Sequence, residues 1–252
     1  MCLVVFAWKT HPDYKLILAA NRDEYHGRPS QAAHWWPDCP EILAGRDLQA
    51  GGTWLAVNKF GRFATVTNYR EQQRARGGLQ SRGEIAMNFV SGGDDAMTFV
   101  ASLAADRYAG VSVLVADRDS ICYTSNRGDD PVSLAAGVYG LSNASLDTPW
   151  PKLLRTKEAL TTLIDSNNVN TTELLRLLAD KTPAPNMEVE SGELPFILAR
   201  ALTAPFIVAE SYGTRCSTTL LYANDGRIEF CERRFDPDGG ASGDSTFIFS
   251  SA

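Results

Sequence analysis

Two predominantly apolar runs joined by a tight turn open the chain, and they leave few architectures available to it. The first runs from Cys2 to Trp8 and stops at His11-Pro12-Asp13; the second runs from Tyr14 to Ala20. Neither alternates apolar with polar residues, so the pair reads as a hairpin buried on both faces. Such a hairpin needs a packing layer on each side.

The rest of the chain supplies candidates for those layers. Thr53 to Asn58 and Gly61 to Thr67 form a second hairpin pattern around Lys59-Phe60. Ser81, with Glu84 three residues on, predicts a capping box for a helix carrying Ile85, Phe89 and Val90. Asp94 or Asp95 caps a second helix through Phe99, Val100 and Leu103. Strand signals return at Ser112 to Ala116 and Ser120 to Thr124, then at Val138 to Ser142. Trp150 to Ile164 and Thr171 to Leu178 read as helices, Lys181 to Leu194 as loop. Cys216 to Ala223, an Asn224-Asp225-Gly226 turn, Arg227 to Phe235 and Thr246 to Ser250 close the chain as strands. Hairpins dominate, helices come in a block, and no repeat or linker interrupts them. The expectation is an α+β fold: two packed antiparallel sheets with helices outside, in a single domain over 1–252.

Composition excludes several functions. The formal net charge of -6 and the lack of a basic run argue against a nucleic-acid partner or a polybasic membrane patch. No apolar run is long enough to span a bilayer. Cys2–Trp8 is too short for a signal peptide and has no positive charge before it. The cysteines number 5, and none are spaced as zinc ligands or as Cys-x-x-Cys; no metal site is expected, and a reducing cytoplasmic setting suits them. The histidines (3 in all) are expected at the surface.

Cys2 is the first candidate for chemistry. Removal of Met1, usual before a small residue, leaves a thiol and a free α-amine on one residue. That amine titrates near pH 8 in unperturbed peptides, so it can serve as the base for its own side chain. Position alone fits better a small apolar residue opening a buried strand. The polar tetrad Asn21-Arg22-Asp23-Glu24 follows the second apolar run directly. There Arg22 can lower a thiol pKa and Asp23 can hold an amine, or the run can be a solvated turn. Asn68 and Asn143 each end a strand-like run, where a carboxamide can aim into a pocket or merely make a turn. Gly51-Gly52 reads as a turn whose N–H groups could bind an anion. Cys39-Pro40 has the form of a haem-ligating pair, but Pro37-Asp38 beside it suggests a loop.

Several longer blocks carry a resemblance. Met1-Cys2-Leu3, Asn21 to Glu24, Gly51 to Asn58 and Thr67 to Arg70 resemble the NRDE family, also called the transport-and-Golgi-organisation family. So do Gly140 to Asn143 with Asp147 to Lys152, and Tyr212 to Arg215. That family is in turn similar to N-terminal-nucleophile hydrolases of the choloylglycine hydrolase and penicillin V acylase type. The resemblance implies a four-layer αββα sandwich that cleaves non-peptide amide bonds. It also implies a catalytic set: Cys2 as nucleophile, Arg22 and Asp23 at its side, and Asn68 in the oxyanion hole. Asn143 would orient the substrate and amine, and Arg215 would be a late active-site arginine. The chain departs from the hydrolase pattern at Tyr25, where those enzymes carry an acid.

Two functional expectations follow. One is an amidohydrolase-like protein acting on a small-molecule amide and needing no cofactor. The other, implied by the family's association with haem mobilisation and lipid homeostasis, is carriage of haem or another hydrophobic ligand without turnover. Trp8, Trp35, Trp36, Trp54 and Trp150 suit such a ligand, although tryptophans are also core residues.

Overall fold

The computed structural model describes residues 2–70, 78–189 and 194–252. Its strands are β1 (Cys2–Trp8), β2 (Tyr14–Tyr25), β3 (Ser30–Trp36), β4 (Cys39–Asp47), β5 (Leu55–Asn58), β6 (Phe63–Asn68), β7 (Val111–Ala116), β8 (Ile121–Ser125), β9 (Asp129–Ser133), β10 (Gly137–Leu141), β11 (Tyr212–Ala223), β12 (Arg227–Phe235) and β13 (Ala241–Ser250). The helices are α1 (Gly83–Ser91), α2 (Ala96–Ala101), α3 (Pro151–Asp165), α4 (Thr171–Leu178) and α5 (Phe196–Ala201). One antiparallel sheet has the order β10-β1-β2-β11-β12-β13, the other β3-β4-β5-β6-β7-β8-β9.

Strand alternation then sorts the side chains into layers. Val4, Phe6 and Trp8 of β1 point between the sheets, meeting Leu43, Leu55, Phe63 and Leu114 of the other sheet. Leu3, Val5 and Ala7 point the other way, onto Leu153 and Leu160 of α3 and Leu174 and Leu178 of α4. The second sheet repeats the arrangement: Ala56, Ala64 and Val113 face Ile85 and Phe89 of α1 and Val100 of α2. Three apolar layers separate four layers of structure, αββα, as the opening hairpin requires. No helix among the described residues is long and apolar enough to cross a membrane.

Several expectations need correction. β2 does not stop at Ala20 but runs on to Tyr25, so the polar tetrad is strand rather than turn. Asn21, Arg22 and Asp23 are buried there. The helix after Ser81 begins at Gly83 with no side-chain cap; Ser81 Oγ accepts instead from Gly83 N–H at 3.3 Å. Asp95 does cap α2, accepting from Thr98 N–H. Pro37-Asp38 is the turn of a two-residue hairpin, pairing Trp36 with Cys39, so Cys39-Pro40 opens a strand and not a loop. His11 is buried, and its Nδ1 accepts from Asp13 N–H. Positive φ at Gly51 makes the Gly51-Gly52 turn, where Gly51 N–H is donated to Asp47 O. The loop expected at Lys181 to Leu194 contains a short 3-10 turn at Asn186–Glu188, and residues 190–193 lie outside the described residues.

Asn21 explains how the helical layer is fixed to the first sheet. Its Nδ2 donates to Leu178 O at 3.0 Å and Pro205 O at 2.9 Å, and its Oδ1 accepts from Ser217 Oγ. These are buried groups with no access to water, so each loses its partner outright if the carboxamide goes. Asn21→Ala is expected to cost about 2–4 kcal/mol of unfolding free energy. Urea denaturation measures this, and a loss below about 1 kcal/mol would show that the helical layer is held elsewhere.

Candidate active site

The register of β1 on β2 sets Cys2 opposite Arg22, and that of β2 on β11 sets Arg22 beside Cys216. Cys2 shares the parity of Val4, and Arg22 that of Ala20, so both face the space between the sheets. The guanidinium of Arg22 lies over the ring of Trp54, 4.2 Å from its centroid. Gly45 makes room for this stack, because a Cβ there would sit 2.4 Å from the Trp54 ring. Arg22 is buried, and among the described residues its Nη1 has no hydrogen-bond partner. Cys2, Arg22, Asp23, Trp54 and Asn68 line one open cleft of about 370 Å³ at the end of the sandwich.

Asp23 has the opposite parity from Arg22. Its Oδ1 accepts from Thr214 Oγ1 at 2.7 Å, and its backbone O accepts from Tyr212 Oη at 2.7 Å. Burial pushes the Asp23 carboxyl up, against the opposing pull of Lys152, Thr214 and Arg22. The tetrad's side chains therefore split between the two faces of the sheet: Arg22 points between the sheets and Asn21 and Asp23 point toward the helices, with Asp23 still reaching the rim of the cleft.

Asn143 sits just past β10, at φ 55, in the left-handed region that asparagine tolerates better than most residues. That backbone turns its carboxamide toward the start of the chain. Oδ1 accepts from the backbone nitrogen of Cys2 at 3.1 Å, and Nδ2 donates to Asn68 O at 2.8 Å. Ser142 Oγ donates to Cys2 O at 2.8 Å, and Arg70 N–H donates to Asn143 O at 2.7 Å. The contacted nitrogen of Cys2 is the atom that becomes an α-amine when Met1 is removed. Burial pushes the Cys2 thiol up and Asp23 adds to this, while Arg22 pulls it down.

The structure thus gathers Cys2, Arg22, Asp23, Asn68 and Asn143 at one place. It leaves Arg215 outside the cleft lining. Arg215 occupies a bulge in β11, and its Nη1 is committed to the carbonyls of Tyr25, His26 and Arg28 at 2.9, 3.0 and 3.3 Å. Tyr25 is exposed on the lip of β2.

Two charged residues that sequence reasoning passed over are buried beside this set. Lys152, in the first turn of α3, lines a small cavity with Ser142 and Asn143. Burial pulls its pKa down, while Asp23 and Cys2 hold it up. Its signal was position: Lys152 lies four residues before Thr156 and eight before Leu160, on the buried stripe of its helix. Glu232 shares the inward parity of Ile228 and Phe230 on β12. Its Oε1 accepts from Ala33 N–H at 2.8 Å. Among the described residues no group of three or more His, Cys, Asp or Glu side chains could hold a metal ion.

Comparison with solved structures gives the class. Over 100% of this chain and 98% of the other, the fold is similar to that of a variant of the conjugated bile acid hydrolase from Clostridium perfringens, with a TM-score of 0.50 and 8% identity. At that identity the likeness is one of fold: an N-terminal-nucleophile hydrolase sandwich. The family model for Transport and Golgi organisation 2 matches residues 1–237, and the chain belongs to that family. It is 36% identical over 259 residues to the human Transport and Golgi organization protein 2 homolog, covering 92% of each chain. It is 34% identical over 277 residues to the mouse Transport and Golgi organization 2 homolog, covering 99% of each.

Glu232 yields a pH dependence. Burial raises its carboxyl above the ordinary 4.5, against the pull of Ala33 N–H, the Cys216 thiol and the two arginines 234 and 22. An acid raised in the fold contributes stability below its unfolded value and loses that contribution as pH climbs through its folded value. Glu232→Gln keeps an acceptor for Ala33 N–H but does not ionise. Relative to wild type, the variant is expected to gain stability as pH rises from about 4.5 toward neutrality. Urea midpoints across that range test it; a difference independent of pH refutes the assignment.

Proposed function

We propose that this chain is an N-terminal-cysteine hydrolase acting on a carbon–nitrogen bond of a small-molecule, non-peptide amide in the cytoplasm. The observation that carries the reading is the 3.1 Å contact from Asn143 Oδ1 to the Cys2 nitrogen, at the edge of a cleft holding Arg22 and Asn68. Removal of Met1 converts this amide nitrogen to an amine. The amine takes the thiol proton, and the thiolate forms a bond to the amide carbon. Asn68 offers a carboxamide to the developing oxyanion. As the C–N bond breaks, the amine returns its proton to the leaving nitrogen. Water then cleaves the thioester, releasing a carboxylic acid and restoring the thiol. Asn143 directs the amine, Arg22 lowers the cost of the thiolate, and Asp23 supports the amine from the helix face. Burial works against the thiolate, so the chemistry depends on the amine and Arg22 acting together. No cofactor enters this scheme.

A second reading is carriage of haem or a similar hydrophobic ligand in the same cleft, without turnover. The Arg22–Trp54 stack and the raised Cys2 thiol favour it, since an aromatic wall and a buried cation suit a flat anionic ligand. Under it Cys2 is dispensable. Intact mass shows whether Met1 is lost, and a panel of N-acyl amides is then assayed by free-amine release. Cys2→Ala is expected to abolish release, and Asn68→Ala to lower kcat by about 10²–10³-fold. Release that persists in Cys2→Ala would falsify hydrolysis by this residue. A saturable Soret shift on haem titration, unchanged in Cys2→Ala and accompanied by no amine release, favours carriage.

A further inference from the structure

The two open sheets present four edges, and three are blunted. β9 has only 5 residues and carries Asp129, Asp130 and Pro131. β10 also has 5 residues, and Gly140 at its edge is engaged through both N–H and carbonyl by Asp147. β3 is broken by two register shifts. β13 is different. It has 10 residues, pairs among the described residues with β12 alone, and keeps unbroken register from Arg227↔Ser250 to Arg234↔Gly243. It contains neither lysine nor proline, and its one charge, Asp244, is paired with Arg233 on the same sheet. Phe249 and Phe247 pack edge-on against Trp35 of β3, which holds the strand firmly in place. Ile248, on the opposite face, is 61% exposed.

The residue order names the partner. Thr246-Phe247-Ile248-Phe249-Ser250 reads nearly the same in both directions. An antiparallel pairing centred on Ile248 sets that residue against its own copy, Phe247 against Phe249 and Thr246 against Ser250. Hydroxyl meets hydroxyl and ring meets ring, with the two members of each facing pair on the same side of the sheet. That is the self-complementarity a two-fold interface demands.

We infer that β13 is a homodimer edge, joining the six-stranded sheets of two copies into one continuous sheet through a two-fold axis at Ile248. The pairing is independent of the reading of the cleft. It satisfies the free backbone groups of both strands and covers Ile248 with its equivalent.

Sedimentation of the whole chain from about 1 to 100 µM spans the range where an interface of modest area associates. The expected result is a rise from the 27.5 kDa monomer toward twice that mass. Ile248→Lys sets two like charges against each other on the axis and is expected to remain monomeric, with an unchanged far-UV spectrum. Ile248→Cys is expected to give a covalent dimer on mild oxidation, because the residue faces itself. Thr246→Cys, which faces Ser250, should give far less. A single mass of 27.5 kDa throughout overturns the inference. So does a dimer that persists in Ile248→Lys while Ile248→Cys fails to cross-link, and the cross-link decides should the lysine variant misfold.

Discussion

Everything at the cleft depends on the pairing of β1 with β2, because that register decides which face each charged side chain enters. With Cys2 opposite Arg22, thiol and guanidinium share the inter-sheet face while Asp23 goes to the helix face. A slip of one residue would exchange every side chain of the slipped strand between the faces. It would drive Phe6 and Trp8 onto the helices and leave the inter-sheet layer to smaller residues. The hydrophobic layers on both sides therefore enforce the register, and the register places Cys2 and Arg22 side by side. Core packing and site geometry share one constraint in this fold.

The same burial sets the electrostatic problem. Arg22, Asp23, Lys152 and Glu232 are all buried, and an isolated charge in such a place is costly. The structure meets this by distributing opposite charges over the two faces of one sheet. Arg22 rests on Trp54 within the electrostatic reach of Glu232, and Asp23 is supported by Thr214 and Lys152. Desolvation still prevails for the acids and the thiol, whose pKa values rise. A thiol in this position is not activated by its surroundings alone. What distinguishes Cys2 from Cys216, one strand beyond Arg22 and also raised, is its neighbouring backbone nitrogen and the carboxamide that receives it.

The layered sheets were legible in the sequence because the apolar runs are long and nearly continuous. The sites of failure share a physical cause. β3 and β4 were missed because Ser30–Trp36 mixes polar and aromatic residues without clean alternation, and Cys39–Asp47 contains proline and glycine. β9 was missed because Asp129–Ser133 is an edge strand whose charges and proline mimic a turn. The tetrad could be taken for a solvated turn because charged residues ordinarily end strands; here tertiary burial overrides that tendency. Lys152 and Glu232 escaped for the same reason, although helical and strand periodicity put both on buried faces. Asn143 was legible as a candidate, but its left-handed backbone and double contact depend on chain segments 141 and 75 residues away. Arg215 shows the converse. Its residue type suits a site, yet its Nη1 donates to three carbonyls where β2 turns toward β3.

Those long separations determine what kind of site this is. Cys2 and Arg22 belong to the first sheet, Trp54 directly precedes β5 and Asn68 ends β6 of the second, and Asn143 follows β10 yet bonds to β6. No single hairpin contains a working subset, so the cleft exists only when both sheets have docked and the inter-sheet layer is dry. This explains how a shared hydrolase-type sandwich can accommodate different uses. The layers require only apolar volume and register, whereas the mouth is built from a few side chains whose replacement leaves the layers intact. The fold therefore fixes where a cleft can form, and the side chains at its mouth, rather than the layers, decide its character.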